Sequence, residues 1–260
     1  MNAEAKIKFL DVSKSYLQGE LSIRAVAGLS FSVRIREFVC IIGPSGCGKS
    51  TLLNLAAGFL MPSSGSVRID GREVAGPGTD RGMVFQTHNL FPWETVRGNI
   101  EFGPRMKGMS KDERNSVMRR NLEDVGLLDF ASSYPHQLSM GMQQRVGLAR
   151  AFANDPEILL MDEPFGSLDA LTRLQMQELL MSIWEKHRKT VLFVTHDVEE
   201  ALLLADRILI LSSRPCSIVR EVSISLPRPR KHLQLNNPGV IAVKEEILSL
   251  LADRCSSAIQ

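Results

Sequence analysis

The run Gly43-Pro44-Ser45-Gly46-Cys47-Gly48-Lys49-Ser50-Thr51 fits the spacing G-x-x-x-x-G-K-[ST]. Glycines at these positions let the backbone curl until successive N–H groups point at phosphate oxygens. Lysine adds a cation for the β- and γ-phosphates, and the hydroxyl of Ser50 is a ligand for Mg²⁺. The apolar stretch Phe38–Ile42 leads in as a buried parallel strand, and Thr51–Ala57 leads out with helical character. A helix that starts on such a loop directs its positive dipole end at the anion. The chemistry implied is the binding of a nucleoside triphosphate.

A second constellation lies far downstream. Glu157–Pro164 reads as a buried strand with two adjacent carboxylates, Asp162 and Glu163, at its C-terminal end. In open α/β sheets that end is where ligands sit. Paired acids there are costly unless they hold a cation or move a proton. Thr190–Asp197 is another buried strand, ending on His196, and Arg81–Gln86 is a short one ending on Gln86. A strand-end histidine or glutamine is either structural and solvated or aimed into a site. Tyr16 is either an aromatic that packs at a strand end or one that stacks on a base. Ser139 opens a helix through Phe152, an ordinary N-cap placement.

These residues need a scaffold. Ile7, Phe9 and Val12 form one alternating stripe and Phe31, Val33 and Ile35 another, as antiparallel strands do. Ser13–Glu20 between them reads as a turn-rich segment. Ser66–Val74 reads as a strand interrupted by an Asp70-Gly71 turn. Composition changes at about His88, and residues 88–138 read as a mainly helical insertion, with a charged helix over Ser110–Asp124 closed by Gly126. Within it, Leu90-Phe91-Pro92-Trp93 is either the insertion's own small core or a docking surface. Phe165–Ala170 is a tight turn into a helix over Leu171–Lys186. Helix, strand and edge strand follow at Glu199–Leu204, Arg207–Ser212 and Ile218–Leu226. Pro227–His232 reads as a solvated basic linker, and a last helix covers about Val240–Arg254.

With 31 Lys and Arg against 29 Asp and Glu, the net charge of +2 over 260 residues gives no electrostatic footprint for nucleic acid. Cys40, Cys47, Cys216 and Cys255 show no C-x-x-C spacing and read as reduced thiols. The first eight residues contain no apolar signal core. No run reaches the roughly 18 apolar residues of a membrane span; Ala201–Leu211 comes nearest, and Asp206-Arg207 interrupt it. A membrane role is therefore expected through a partner.

The ordered set of phosphate loop, Gln86, Leu138-Ser139-x-Gly141, Ile158–Pro164, Ser167-Leu168-Asp169 and His196 resembles the nucleotide-binding subunit of an ABC transporter over about Ile7–Leu226. The resemblance implies an α/β fold: a phosphate-loop NTPase core with a mostly parallel sheet and flanking helices, an antiparallel β subdomain and an inserted helical subdomain. The expected division is an ATPase domain over 1–232, with core at 1–87 and 155–232 and helical subdomain at 88–154, then a short helical extension over 233–260.

The same resemblance assigns roles. Tyr16 stacks on adenine, and Gly43, Pro44, Ser45, Gly46, Cys47, Gly48, Lys49, Ser50 and Thr51 hold the phosphates. Gln86 senses metal and attacking water. Asp162 holds Mg²⁺ through water, Glu163 is the general base, and His196 contacts the γ-phosphate. Ser139 and Gly141 cap the γ-phosphate of ATP bound to another subunit, and Asp169 crosses to that subunit. ATP and Mg²⁺ are the implied cofactors, and a head-to-tail pair of cassettes the implied assembly. The segment departs from the family's Leu-Ser-Gly-Gly-type signature at Met140, where glycine is usual; Met140 is expected to point away.

Asn89–Ile100, Phe165–Arg173 and Thr195–Ala201 resemble the nitrate/sulfonate/taurine import group. That implies a partner permease docking near Phe91 and Trp93, a solute-binding protein acting indirectly, and a place at the cytoplasmic face of the inner membrane. The rival is a soluble family member serving DNA repair, the ribosome or cluster assembly. A phosphate-loop kinase or GTPase lacks the Ser139-type signature.

Overall fold

A computed structural model describes residues 4–19, 21–87 and 89–256. Glu20 in the expected turn, His88 at the expected subdomain boundary and residues 257–260 of the expected extension lie outside the described residues. The chain forms two compact units. The first takes the residues up to Gly78, Leu160–Glu163, and everything from Arg188 on; the second takes Thr79–Leu159 and Pro164–His187.

In the first unit, β1 (Ala5–Gln18) and β2 (Leu21–Arg34) make a long antiparallel hairpin, flanked by β4 (Ser64–Ile69) and β5 (Arg72–Glu73) in the order β2-β1-β4-β5. The stripe of Ile7, Phe9 and Val12 is buried, and Phe9 stacks on its register partner Phe31 with ring centroids 4.3 Å apart. The expected Asp70-Gly71 turn joins β4 to β5, with φ of 49° and 76° at its two residues.

Two expectations fail here. Ser13–Gln18 is strand, not turn, because Ser15, Tyr16 and Leu17 pair with Arg24, Ile23 and Ser22 across the hairpin. Cross-strand pairing overrides the local preference of the polar run, and the Ser13 hydroxyl accepts from Gly28 N at 2.9 Å where the register shifts. Ile35 is 47% exposed because β2 ends at Arg34 and the chain turns at Arg36, φ 61°.

The second sheet of this unit is α/β in kind. β3 (Phe38–Ile42) lies between β8 (Thr190–Thr195) and β9 (Arg207–Leu211), parallel to both. The order is β10-β9-β3-β8-β7, with β10 (Ile218–Ser223) antiparallel at the edge and β7 at Ile158–Asp162. Every residue of β3 and β8 is buried, which explains their unbroken apolar sequences. Because β3, β8 and β7 are neighbours, their C-terminal ends bring residues 43–51, 196 and 162–163 to one edge of the sheet. Helix α1 (Lys49–Ala57) leaves β3, and α6 (Val198–Leu204) leaves β8.

The basic segment after β10 is not a solvated linker. Arg230 is 6% exposed and its guanidinium donates to the carbonyls of Leu202, Leu203 and Ala205 at the end of α6. Arg228 donates to Leu204 O at 2.6 Å and to Asp206 at 2.8 Å. Cations are favoured at a helix C-terminus, where the last carbonyls lack partners. Burial, then the neighbouring Arg228 charge, pulls the Arg230 pKa down to about 10. Helix α7 (Pro238–Ser256) ends the described chain.

The second unit is mostly helical. It holds β6 (Arg81–Val84) beside the opening residues of β7, then α2 (Val96–Met106), α3 (Lys111–Asp124), α4 (Met140–Ala153) and α5 (Ala170–His187). Ser110 begins α3 with a capping box: its hydroxyl takes the Glu113 N–H while the Glu113 carboxylate takes the Ser110 N–H. Ile100, Met118, Leu122, Val146, Leu180 and Trp184 are buried in this unit.

Candidate functional site

The phosphate loop closes on its own lysine. Lys49 is buried, and its Nζ donates to Gly43 O at 2.9 Å and Pro44 O at 3.0 Å. Gly48 sits at φ 123° directly before α1, a conformation that no side chain tolerates well. The Cys47 side chain is buried, so this residue offers the loop interior only its backbone. Ser45, Gly46, Gly48, Lys49, Ser50 and Thr51 line a cavity of about 550 Å³.

The other strand ends meet this loop. Ser50 Oγ donates to Asp162 Oδ1 at 3.1 Å. Burial pushes the Asp162 carboxyl up; the Ser50 hydrogen bond opposes this and the Glu163 charge adds to it. Glu163 accepts from His196 Nδ1 at 2.9 Å and stands 3.9 Å from Lys49 Nζ. Its backbone has φ 42°, unusual for a non-glycine residue, and its N–H is fixed to Val194 O at 2.9 Å. A strained conformation held by neighbours aims this carboxylate.

Tyr16 also belongs to the cavity. Its hydroxyl lies 3.1 Å from Thr51 Oγ1, its ring carries Lys14 Nζ at 5.6 Å, and Leu17, Ile23 and Ala25 extend an apolar wall beside it. The cavity thus combines the lysine and N–H groups of the phosphate loop with an aromatic ring and apolar side chains. That combination suits a molecule with a phosphate chain and a flat base.

Magnesium fits the donor set. It prefers one or two protein oxygens plus substrate phosphates over an all-protein cage. Ser50 and Asp162 supply such a pair, and among the described residues no cluster of three or more His, Cys, Asp or Glu exists to hold another metal.

Gln86, Ser139, Gly141 and Asp169 belong to the second unit. Gln86 is exposed, two residues past the end of β6. Ser139 is the N-cap of α4, accepting from Met142 N at 3.3 Å. At Gly141 a Cβ would lie 2.8 Å from Thr172 Cγ2, so any larger residue would displace that side chain. Met140 is 55% exposed in the first turn of α4. Asp169 accepts from Thr172 N at 3.0 Å, and that hydrogen bond holds its carboxyl below the usual range.

Phe91 packs 4.6 Å from the Phe102 ring, 5.6 Å from the Trp93 ring and under the Arg150 guanidinium at 5.5 Å, as a small local core, while Trp93 is 73% exposed. Asn99, fully buried, builds the loop between them. Its Oδ1 accepts from Phe91 N at 2.8 Å and its Nδ2 donates to the carbonyls of Phe91, Glu94 and Thr95.

Three polar residues carry roles that sequence reasoning did not assign: Asn99, Gln144 and Arg214. Gln144 is buried and its Nε2 donates to Pro164 O, directly after Glu163. Arg214 lines the nucleotide-sized cavity. A buried amide four or five residues into an otherwise apolar helix face was the available signal for the first two; Arg214 had none.

The family model described as ABC transporter matches residues 26–166. Nitrate import ATP-binding protein NrtD of Synechocystis is 45% identical over 254 residues, 95% of this chain and 96% of that protein. Taurine import ATP-binding protein TauB of Jannaschia is 45% identical over 236 residues, 89% and 88% of the two chains. A dimeric ATP-binding cassette solved in a post-hydrolysis state with ADP and Pi superimposes with TM-score 0.75 at 36% identity, covering 85% of this chain and all of that one.

Proposed function

Because the chain belongs to the ABC transporter family as an ATP-hydrolysing subunit, we propose that it drives import of a small anion of the nitrate, taurine or sulfonate kind through a partner permease. The names of the 45% identical relatives support this over the soluble alternative. Among the described residues no helix is long and apolar enough to cross a membrane; the import names of the relatives are what support work at the cytoplasmic face on a membrane partner. The domain plan follows: a core with antiparallel β subdomain, a helical subdomain over 88–154 with the signature, and a C-terminal extension from 233.

The observation that carries the reading is Glu163 held between His196 Nδ1 and Lys49 beside the phosphate loop. Phosphoryl transfer to water needs positioning and charge stabilisation above all. Loop amides and Lys49 take the β/γ-phosphates, and Tyr16 takes the base. Glu163 receives a proton from the attacking water, and His196 keeps that carboxylate oriented next to the γ-phosphate. Ser50 and Asp162 would hold Mg²⁺, which neutralises phosphate charge. Gln86 registers the occupied site. Ser139 and Gly141 of a second cassette cap the γ-phosphate, with Asp169 at the shared boundary, so turnover requires a head-to-tail pair.

Trp93 and its Asn99-built loop are the docking point for the permease, and a solute-binding protein outside the membrane contributes indirectly. Affinity capture from native-host membranes tests the proposal. A multi-span permease in about equal stoichiometry is expected, with Trp93→Ala losing transport while keeping basal hydrolysis. Capture of ribosomes, nucleic acid or soluble proteins alone would overturn the import reading.

A further inference from the structure

The loop Ser212–Ser217, between β9 and β10, reaches the nucleotide cavity from a side that no motif marks. It is closed on itself: Ser212 N donates to Ser217 O at 2.9 Å, and Ser217 N donates to Ser212 Oγ at 2.9 Å. Cys216 fastens it to β2, with its N–H on Ala25 O at 2.9 Å and its carbonyl accepting from Ala27 N at 3.3 Å. Ala25 is itself a cavity wall. From this fixed base the exposed Arg214 extends over the phosphate loop, and its Nη2 donates to Gly46 O at 2.9 Å.

We infer that Arg214 is a positioning residue for the nucleotide, acting through the Gly46–Cys47 peptide. A trans peptide is planar and points its C=O and N–H in opposite directions. Holding the Gly46 carbonyl toward Arg214 turns the Cys47 N–H the opposite way, into the loop, where it donates to Pro44 O at 3.3 Å and closes the turn. The curl by which a phosphate loop points its remaining N–H groups at an anion depends on that turn. Gly46, at φ 72°, has no side chain to resist rotation of this peptide plane. A rotated plane would aim a carbonyl oxygen at phosphate. The guanidinium prevents that, from a scaffold of β2 and the 212–217 loop that is independent of α1.

The inference rests on residues 43–51 being the nucleotide site, so the test separates the two. Mg²⁺ with ADP or ATP is titrated calorimetrically into the full chain and into Lys49→Ala, Arg214→Ala and Arg214→Lys. Lys49→Ala is expected to abolish measurable binding. Arg214→Ala should weaken both nucleotides by about three- to tenfold, and Arg214→Lys, which keeps a donor, should stay within about twofold of the parent. The nucleotide-free unfolding midpoint of Arg214→Ala should stay within about 2 °C of the parent. Undiminished binding by Lys49→Ala overturns the site assignment itself. Lost binding there with parental binding by Arg214→Ala overturns only the inference. Equal weakening by the alanine and lysine variants, or a larger fall in midpoint, overturns it too, since a donor to Gly46 would then not be what matters.

Discussion

Glu163 and His196 lie on neighbouring strand ends and meet through one contact, Nδ1 to Oε2 at 2.9 Å. A carboxylate only accepts, so the histidine carries its proton on Nδ1 in this contact. The histidine sits at the exposed end of β8, while Glu163 is held at positive φ by Val194. The backbone of β8 and a side chain just beyond it therefore fix the glutamate from two directions.

Glu163→Gln should retain ATP binding and lose hydrolysis by about 10²- to 10⁴-fold, the range of a general base. Radiolabelled ATP retention against phosphate release measures both. Parental phosphate release would remove Glu163 from the base role.

Asp162 gives an opposed pair of effects. Its carboxyl titrates above the ordinary aspartate value because it is buried. Between the unfolded and folded pKa the native state binds more protons. The contribution to stability is thus fully present below the unfolded value and is lost as pH rises through the folded one. At neutral pH the charge burdens the nucleotide-free protein. Asp162→Asn should then raise the nucleotide-free unfolding midpoint at pH 7 and erase the further rise that MgATP gives the parent. Thermal scans from pH 4 to 8, with and without MgATP, check this. A lowered midpoint at pH 7 would show that the Ser50 hydrogen bond outweighs burial.

Met140→Gly restores the family's usual residue at an exposed first-turn position. Because Ser139 and Gly141 carry the proposed contact, ATPase activity should change by less than about twofold, with up to about 1 kcal/mol lost from helix propensity. Steady-state ATPase and urea melts measure the two. A many-fold gain in activity would mean that the methionine weakens the native signature.

Arg230→Ala leaves the α6 carbonyls of Leu202, Leu203 and Ala205 without their buried cation. A loss of about 3 kcal/mol is expected in urea denaturation. A loss under about 0.5 kcal/mol would fit a solvated arginine and contradict the packing seen here.

The main elements were legible where one physical demand governs a stretch. Phe38–Ile42 and Val191–Val194 are buried on both sides and read as apolar runs; Ser110 and Glu113 announce a helix start within four residues. The phosphate loop and the Asp162-Glu163 pair were legible for the same reason, since few other arrangements make those residues cheap. What escaped depends on distant partners. Ser13–Gln18 resembles a turn until Ser22–Arg24 pair with it, and Arg228 and Arg230 resemble a tail until the end of α6 supplies acceptors. Arg214 stands 168 residues from the carbonyl it holds, beyond the reach of any local pattern.

Asn99 shapes the 91–95 loop entirely through backbone atoms: one N–H and three carbonyls. None of these bonds involves the side chain at position 93. The loop's form and its outward-facing chemistry are consequently separable, like a socket whose lining can be exchanged without recasting the frame. Substitution at 93 alters the outward-facing chemistry and the ring contact with Phe91, while the backbone bonds made by Asn99 stay in place.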